Sequence, residues 1–272
     1  MDAQERQHRL DFALRASAEA EALILRHYQD AFLSVDWKAD RTPVTAADRG
    51  AEELLRDRLS REFPQDGILG EEFGETASKN GCRWILDPVD GTKSFMHGVP
   101  LFGTLIALEV DKECQIGICR FPALREIVYA ANGLGAWWQM SNGTTRPAKV
   151  STVDQLSHAL MCVTTFTRWD QLGSQPAFEE LMNRTRLARG WGDCYGYALV
   201  ATGRAEIMVD PILNPWDAAP MIPIMKEAGG AWLDWRGEPS INSGQGFAVN
   251  SALKDQVLDI LMPFANSANG SA

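Results

Sequence analysis

The feature that most constrains the fold lies at residues 84–95, where an apolar run leads into a turn carrying two carboxylates. The run Trp84–Leu86 predicts a buried strand that ends at Asp87. Pro88 has no backbone N–H to donate to a neighbouring strand, so we expect it to stop the strand from continuing as a paired one. Asp90 follows three residues after Asp87, so the two acids can converge on one point. The segment therefore predicts a strand that delivers its carboxylates to a single site.

The residue types in this turn suit a metal and a phosphate. Carboxylate oxygens favour a hard cation such as Mg²⁺, Mn²⁺ or Ca²⁺ over zinc. The alternative is a simple surface turn, since Asp, Pro and Gly are the commonest turn formers. Acids at the edges of other apolar elements favour a site over a simple turn. They are Asp48, Glu71, Glu72 and Asp217.

These motifs together make the chain resemble the inositol monophosphatase family of metal-dependent phosphatases over nearly its whole length. The resemblance rests on the acidic pair after Gly70, on the motif at 87–92, and on Trp216–Asp217 followed by a helix ending at 227–230. Several ordered motifs are more specific than one short motif. The stretch 93–108 looks most like the histidinol-phosphate phosphatase branch of that family. The family implies an α+β fold, a layered α-β-α-β-α sandwich with the active site between the layers.

Composition and charge exclude some function classes. A chain of 272 residues with 45% hydrophobic and 23% charged residues fits one large domain or two packed halves. Its formal net charge of -10 argues against nucleic acid or an anionic membrane as a partner, because both need a basic face. A small phosphorylated substrate remains compatible with this charge, because bound divalent cations make a carboxylate site locally positive.

The cellular location is inferred from the polar start of the chain and from its cysteines. Residues 1–6 lack the apolar core of a signal peptide, and no run of about 18 apolar residues follows. The five cysteines are odd in number and form no Cys-x-x-Cys pair. We therefore expect a cytoplasmic protein with reduced cysteines that are mostly buried or incidental.

The apolar periodicity changes along the chain. Spacings of three and four residues predict helices at 4–30 and from Thr45 onward. Strands separated by Gly, Asn and Pro dominate from 83 to about 150 and predict a largely antiparallel sheet. Helices and strands alternate afterwards, and a single helix is predicted from Trp216 to Ala228.

Three segments follow from this pattern. We expect residues 1–150 to form an N-terminal α+β half with most of the metal ligands. Residues 151–265 are expected to form a C-terminal α/β half with the selectivity residues and one metal ligand. The tail 266–272 is small and polar, which predicts that it is mobile.

The family resemblance also implies the metal ligands. The matching positions are Glu71, Asp87, Asp90 and Asp217, with the backbone carbonyl of Val89 as a further oxygen ligand. Four carboxylates around two or three Mg²⁺ ions leave coordination positions open for water and phosphate.

Two readings exist for Asp48. The spacing Thr45 to Asp48 fits a capping box, in which Asp48 would only close the start of a helix. In the family, the matching Asp pairs with the motif threonine to orient the attacking water. We therefore expect Asp48 and Thr92 to form a general-base relay, with Glu71 in the catalytic set. Gly91 and Thr92 are also expected to contact phosphate, since a missing side chain and helix N–H groups suit an anion.

Substrate selectivity is expected from the second part of the chain. Asp193 matches a position where relatives that act on inositol carry small residues, and Asp210 matches an acid that contacts the alcohol. Asn214 replaces a histidine typical of the inositol enzymes, which weakens the assignment of Asp210. Lys93 would either touch phosphate or be a solvated surface lysine, and His97 is expected near the entrance rather than on a metal.

These expectations favour Mg²⁺-dependent hydrolysis of L-histidinol phosphate to histidinol and phosphate, a late step of histidine biosynthesis. The enzymatic alternatives are hydrolysis of inositol-1-phosphate and of 3′-phosphoadenosine 5′-phosphate. A further alternative is a catalytically silent, phosphate-binding regulatory protein on the same fold, because fold alone does not establish activity. The family also implies a homodimer.

Overall fold

The computed structural model describes residues 1–30, 35–37 and 43–265, so the tail predicted at 266–272 lies outside the described residues. In these ranges the helices are α1 (Ala3–His27), α2 (Ala46–Glu62), α3 (Thr92–Met96), α4 (Gln175–Arg184), α5 (Asp193–Ala201), α6 (Pro215–Ala218), α7 (Met221–Glu227) and α8 (Lys254–Leu261). The strands are β1 (Val35–Trp37), β2 (Pro43–Thr45), β3 (Gly67–Gly70), β4 (Gly74–Thr76), β5 (Cys82–Asp90), β6 (Gly103–Val110), β7 (Glu113–Phe121), β8 (Glu126–Ala131), β9 (Gly135–Gln139), β10 (Thr145–Pro147), β11 (Leu160–Val163), β12 (Leu187–Arg189), β13 (Ile207–Asp210), β14 (Gly230–Leu233) and β15 (Gly246–Asn250).

Two sheets carry the fold. The larger sheet has the order β10-β9-β8-β7-β6-β5-β3-β4 and is antiparallel except where β3 runs parallel to β5. The smaller sheet has the order β12-β11-β13-β15-β14. Its strands β11, β12 and β13 are parallel, whereas β15 runs antiparallel to both β13 and β14. The predicted largely antiparallel sheet is confirmed, while the division of the chain at residues 150 and 151 stays a prediction.

Helices cover both faces of each sheet. The helices α1 and α2 pack on the outer face of the larger sheet, where Leu10 and Leu55 meet Trp84 in one buried cluster. The helices α5, α6 and α7 lie between the sheets, and α4 and α8 pack on the outer face of the smaller sheet. These five layers confirm the expected α-β-α-β-α sandwich. None of the described helices has the length and apolarity needed to cross a membrane.

The prediction that Pro88 ends the paired strand is wrong. The strand β5 pairs with β6 up to Asp87 opposite Leu105, shifts register, and pairs again at Asp90 opposite Gly103. The side chain of Thr104 donates a hydrogen bond to the carbonyl of Pro88 at 2.9 Å, within the irregular segment. The proline therefore produces a local irregularity that re-aims the two acids, as bulges near active sites do.

The single helix predicted from Trp216 to Ala228 is also wrong, because the structure breaks it into α6 and α7. Pro220 lies between them, and its ring nitrogen has no N–H to continue the helical hydrogen bonds. The break lets α6 turn toward the acids of β5 while α7 packs against the larger sheet.

All five cysteines are free thiols, as predicted, and four of them are buried. The exception is Cys82 at the start of β5, which is partly exposed.

Candidate active site

Four acids from three parts of the chain meet at one edge of the larger sheet: Glu71 after β3, Asp87 and Asp90 on β5, and Asp217 on α6. Glu71 directly follows β3, and its N–H donates to the carbonyl of Leu86 at 3.2 Å. Since β3 and β5 are parallel, their carboxyl ends lie at the same edge, which brings Glu71 toward Asp87 and Asp90. The helix α6 adds Asp217. One oxygen from each of the three aspartates lies within 4.8 Å of the others, an arrangement that could hold a metal ion.

Each of the three clustered aspartates has one oxygen fixed by a backbone N–H. The donors are Val89 to Asp87 Oδ1 at 3.1 Å, Cys194 to Asp90 Oδ2 at 2.5 Å, and Asn214 to Asp217 Oδ2 at 2.8 Å. These bonds fix the carboxylate planes, and the second oxygen of each accepts no hydrogen bond from another described residue, so it could bind a further ligand. The predicted carbonyl ligand, Val89, lines the same cavity.

The clustered acids repel one another electrostatically. Burial, followed by the charges of Glu71 and Asp90, raises the pKa of Asp87 well above its usual range. Burial and the charge of Asp217 raise the pKa of Asp90 to about 7. Burial also raises the pKa of Asp217 to about 7, with a contribution from Glu71. None of the ion pairs among the described side chains brings a lysine or arginine to these aspartates. A divalent cation would therefore relieve the repulsion, and the donor set fits Mg²⁺.

The two readings of Asp48 prove to be geometrically compatible. Asp48 Oδ2 accepts hydrogen bonds from the N–H and the hydroxyl of Thr45, at 2.8 and 2.5 Å, which forms the capping box of α2. Asp48 Oδ1 faces the Thr92 hydroxyl at 3.4 Å, and this hydroxyl also lies 3.1 Å from the carbonyl oxygen of Val89. Burial raises the pKa of Asp48, and the charge of Glu71 adds to this rise. One carboxylate can therefore cap the helix and contact Thr92 at the same time.

A residue that the sequence reasoning missed, Glu52, positions the turn after β3. Its carboxylate is 0% exposed and accepts hydrogen bonds from the N–H groups of residues 72–73 at 2.8 and 3.2 Å and from Arg56 Nε at 2.7 Å. A Cβ at Gly70 would lie 2.0 Å from Glu52 Oε1, so only glycine fits beside this carboxylate. Glu52 lies one helical turn after Asp48 on α2, and that spacing was the available signal.

The turn at Gly91 lets the two sides of the site approach closely. Gly91 has φ of 81°, a conformation in which glycine has no steric penalty. A Cβ there would lie 3.2 Å from Asp193 Oδ2 and 3.0 Å from the carbonyl oxygen of Leu101. The predicted substrate residue Asp193 therefore lies directly against the turn at Gly91 that is predicted to contact phosphate.

Asp193 is held in an uncommon conformation. Its φ is 51°, and its N–H donates to Thr164 Oγ1 at 2.8 Å. Burial and the charge of Asp90 raise the pKa of Asp193 to about 8, against the opposing charge of Lys93. Burial is the main cause of this rise, and the charge of Lys93 does not offset burial together with the charge of Asp90.

Asp210 lies beside Thr164 at the wall of the cavity, and both of its carboxylate oxygens accept hydrogen bonds from the protein. Its Oδ1 accepts from the Thr164 N–H at 3.2 Å, and its Oδ2 accepts from the Tyr197 hydroxyl at 2.9 Å. Asp210 is 2% exposed, and burial raises its pKa to about 7. In this structure Asp210 positions Thr164, which in turn holds Asp193. Sequence reasoning missed Thr164 and Tyr197. For Thr164 the signal was that it follows β11, which runs parallel to β13 and ends at the same edge of the sheet as Asp210.

These groups line one cavity of about 530 Å³. The four acids and Thr92 lie in its wall together with Thr164, Asp193 and Asp210, and both Lys93 and Asn214 border it. His97 is exposed and its Nδ1 lies 2.8 Å from the carbonyl oxygen of Lys93.

A cavity that lies between two sheets and is lined by clustered carboxylates agrees with the comparisons with known proteins. The model of the inositol monophosphatase family matches residues 5–262. The chain belongs to this family. A histidinol-phosphatase from Chlorobaculum parvum is 47% identical over 248 residues, covering 90% of this chain and 93% of the relative. A histidinol-phosphatase from Mycobacterium tuberculosis is 36% identical, covering 92% of this chain and 96% of the relative.

Solved structures of the family share the architecture. The structure of an IMPase from Thermotoga maritima superposes with a TM-score of 0.82 at 29% identity, covering 94% of this chain and 98% of that one. Family membership and the curated relatives together make this chain a phosphomonoesterase.

Proposed function

We propose that this inositol monophosphatase family member is a Mg²⁺-dependent histidinol-phosphatase that releases L-histidinol and phosphate, a step of histidine biosynthesis. The observation that carries the choice of substrate is the 47% identity, over 90% of the chain, to a histidinol-phosphatase. The sequence identity to the Thermotoga IMPase is 29%. The placement of Asp193 supplies a physical reason for the same choice.

The metal-binding part of the proposal rests on the four acids. Glu71, Asp87, Asp90 and Asp217 would hold two or three Mg²⁺ ions, with the carbonyl of Val89 as a further ligand. When bound, the ions would activate water, neutralise phosphoryl oxygens and stabilise the leaving alkoxide. The backbone N–H groups that fix one oxygen of each aspartate keep the others aimed at the cavity.

Thr92 and Asp48 would prepare the attacking water. The Thr92 hydroxyl would accept a hydrogen bond from that water and pass its own proton toward Asp48 Oδ1, which lies 3.4 Å away. Asp48 Oδ2 stays fixed by Thr45, so the carboxylate cannot rotate out of line. Phosphate would lie against Gly91 and Thr92, where no Cβ blocks the backbone.

Asp193 would recognise the alcohol. Histidinol carries an ammonium group and an imidazole, and a carboxylate pairs with either cation through a charge-assisted hydrogen bond. Burial and the charge of Asp90 destabilise the ionised form of Asp193 and raise its pKa, so a cationic partner would stabilise the carboxylate. Lys93, exposed at the rim, would contact the phosphate. Thr164 would keep Asp193 in place through its hydroxyl.

The family resemblance also supports a homodimer that works in the cytoplasm on small phosphorylated substrates. Neither a nucleic acid nor a membrane is proposed as a partner, because the chain has a net charge of -10.

A side-by-side assay tests the proposed substrate. We expect kcat/KM for histidinol phosphate to exceed that for inositol-1-phosphate and for 3′-phosphoadenosine 5′-phosphate, measured on one preparation with Mg²⁺. Equal or greater efficiency on inositol-1-phosphate would reject histidinol phosphate as the preferred substrate. Binding of phosphate without turnover of any of the three would favour a silent regulatory protein.

A further inference from the structure

The backbone of Asp193 needs support from the residues around it. Its φ of 51° lies in the left-handed region, which is sterically unfavourable for a residue other than glycine. Conformations of this kind persist only where the surrounding structure holds them. Asp193 begins α5, and its N–H donates to Thr164 Oγ1 at 2.8 Å. The position of Thr164 therefore helps to fix where Asp193 lies at the cavity.

Thr164 is itself held by a side chain from the neighbouring strand. The strand β11 ends at Val163, and the parallel strand β13 beside it ends at Asp210. The N–H of Thr164 donates to Asp210 Oδ1 at 3.2 Å. A Cβ at Gly192 would lie 2.3 Å from the Cα of Thr164, so the chain before Asp193 packs directly on the threonine backbone. Thr164 is thus fixed between the Asp210 carboxylate and the start of α5.

The second oxygen of Asp210 is bound by Tyr197. The Tyr197 hydroxyl donates to Asp210 Oδ2 at 2.9 Å, and the tyrosine is only 1% exposed. Tyr197 lies on α5, one helical turn after Asp193. A Cβ at Gly196 would lie 2.4 Å from Met208 Sδ, which shows how closely this part of α5 packs on β13. The packing of the helix therefore directs the tyrosine hydroxyl at Asp210.

These contacts form one chain of hydrogen bonds that begins and ends on α5. Its members in order are Tyr197, Asp210, Thr164 and Asp193. A buried carboxylate needs hydrogen-bond donors, because an unpaired buried charge is costly. Without the Tyr197 hydroxyl, Asp210 Oδ2 would lose the donor that the structure gives it, and the carboxylate would reorient or take up a proton. Either change would loosen Thr164 and, with it, the strained start of α5.

We propose that Tyr197 is a positioning residue for substrate selectivity, which acts through Asp210 and Thr164 to hold Asp193 toward the alcohol part of the substrate. The inference rests on the proposed function, in which Asp193 recognises the alcohol. Of these four described residues, the last three line the cavity of about 530 Å³ and Tyr197 does not. Asp210 is 2% exposed and both of its oxygens are engaged, so it would share this positioning role while the charge of Asp193 meets the substrate.

A double-mutant cycle on the full chain tests this role, with kcat/KM measured in Mg²⁺ for histidinol phosphate and for p-nitrophenyl phosphate. Tyr197→Phe keeps the buried ring and removes only the hydroxyl. It should lower kcat/KM for histidinol phosphate about five- to tenfold, mainly through a higher KM, because a displaced Asp193 binds the alcohol less well. The value for p-nitrophenyl phosphate should change by less than about twofold, because the acids that would hold the metals keep their contacts.

The cycle distinguishes an effect through Asp193 from a general loss of structure. In an Asp193→Asn background, Tyr197→Phe should cause less than about twofold further loss on histidinol phosphate, because the effects of residues that act through one another do not add. The same fold loss in both backgrounds, equal losses on both substrates, or wild-type kinetics in Tyr197→Phe would overturn the proposal.

Further variants provide a matched control and a second route to the same answer. Tyr195→Phe removes the other tyrosine hydroxyl of α5, which accepts a hydrogen bond from Arg204 at 3.2 Å, and should leave the ratio of the two kcat/KM values unchanged. Thr164→Val removes a later hydroxyl of the chain, so it decides the matter even if Tyr197→Phe fails to fold. Its loss should also be selective for histidinol phosphate and vanish in the Asp193→Asn background, whereas Thr164→Ser should keep wild-type selectivity. Wild-type selectivity in Thr164→Val would overturn the proposal.

The result for Tyr197 can be separated from the identity of the substrate. If the wild type preferred inositol-1-phosphate, the proposed histidinol-phosphatase function would fail, and the same cycle would be run on inositol-1-phosphate. Non-additive losses from Tyr197→Phe and Asp193→Asn would still support the positioning role, and additive losses would overturn it.

Discussion

Removing the Thr92 hydroxyl distinguishes a catalytic role from a structural one, because the expected effect on kcat is much larger than the expected effect on unfolding free energy. Thr92→Val keeps the shape of the side chain and removes the contacts with Asp48 at 3.4 Å and with the Val89 carbonyl at 3.1 Å. Asp48 keeps both donors from Thr45, so no buried carboxylate is left unpaired. The loss in unfolding free energy should therefore be about 1 kcal/mol.

The rate should fall much further. Loss of a positioned general-base relay costs about 10²–10⁴-fold in kcat, equivalent to about 3–5 kcal/mol in the activation barrier. Thr92→Ser retains the hydroxyl and should keep kcat within about tenfold of wild type. Steady-state kinetics with Mg²⁺ and denaturant unfolding of both variants give the two quantities independently. A raised KM with unchanged kcat in Thr92→Val would refute the relay and leave Thr92 as a phosphate contact or helix cap.

Three further predictions follow from the site. Asp193→Asn should lower kcat/KM for histidinol phosphate about ten- to hundredfold, because it removes the charge that faces the alcohol part of the substrate. The loss of kcat/KM for p-nitrophenyl phosphate should be far smaller. Equal losses on both substrates would contradict this role of Asp193. Gly70→Ala should lower both the free energy of unfolding and the affinity for Mg²⁺, because the new Cβ would lie 2.0 Å from Glu52 Oε1. If calorimetry gave this variant the Mg²⁺ affinity of the wild type, Glu52 would not be a positioning residue. Since the folded pKa of Asp90 and of Asp217 is raised from 3.8 to about 7, the metal-free folded state binds more protons than the unfolded state in this window. The free energy of unfolding of the metal-free protein should then fall as pH rises from about 4 to about 7, by up to about 1.4 kcal/mol per pH unit for each group. Mg²⁺ should offset this fall. If the metal-free protein instead became more stable over this range, the pKa values of Asp90 and Asp217 would not be raised by clustering.

The parts of the fold that the sequence predicts are those with a local signal. Alternation and turn residues identify the strands from β5 to β9, and the capping residue Thr45 marks the start of α2. The strand β15 was missed, because all five of its residues are buried and it shows no alternation. The irregularity at Pro88 depends on pairing with β6, which no local pattern indicates. Pro220, by contrast, was itself a local signal for the break between α6 and α7.

The same distinction between local signals and long-range packing applies to the site residues. Asp87 and Asp90 share one strand, but residues three apart on a regular strand point to opposite faces, so their convergence depends on the irregularity at Pro88. The hydrogen bond from the Cys194 N–H to Asp90 joins residues 104 positions apart, and the bond from Thr164 to Asp210 joins residues 46 positions apart. Contacts of that kind depend on how the two sheets and the helices between them pack, which only the structure supplies.

The most direct test of the account is the hydrolysis of histidinol phosphate as a function of Mg²⁺, for wild type and for Asp90→Asn. After exhaustive chelation the wild-type rate should fall to background and return in full when Mg²⁺ is added back. Asp90→Asn should stay folded by circular dichroism and remain inactive at any Mg²⁺ concentration. Full wild-type activity after chelation, or an active Asp90→Asn protein, would contradict catalysis by cations held in the acidic cluster.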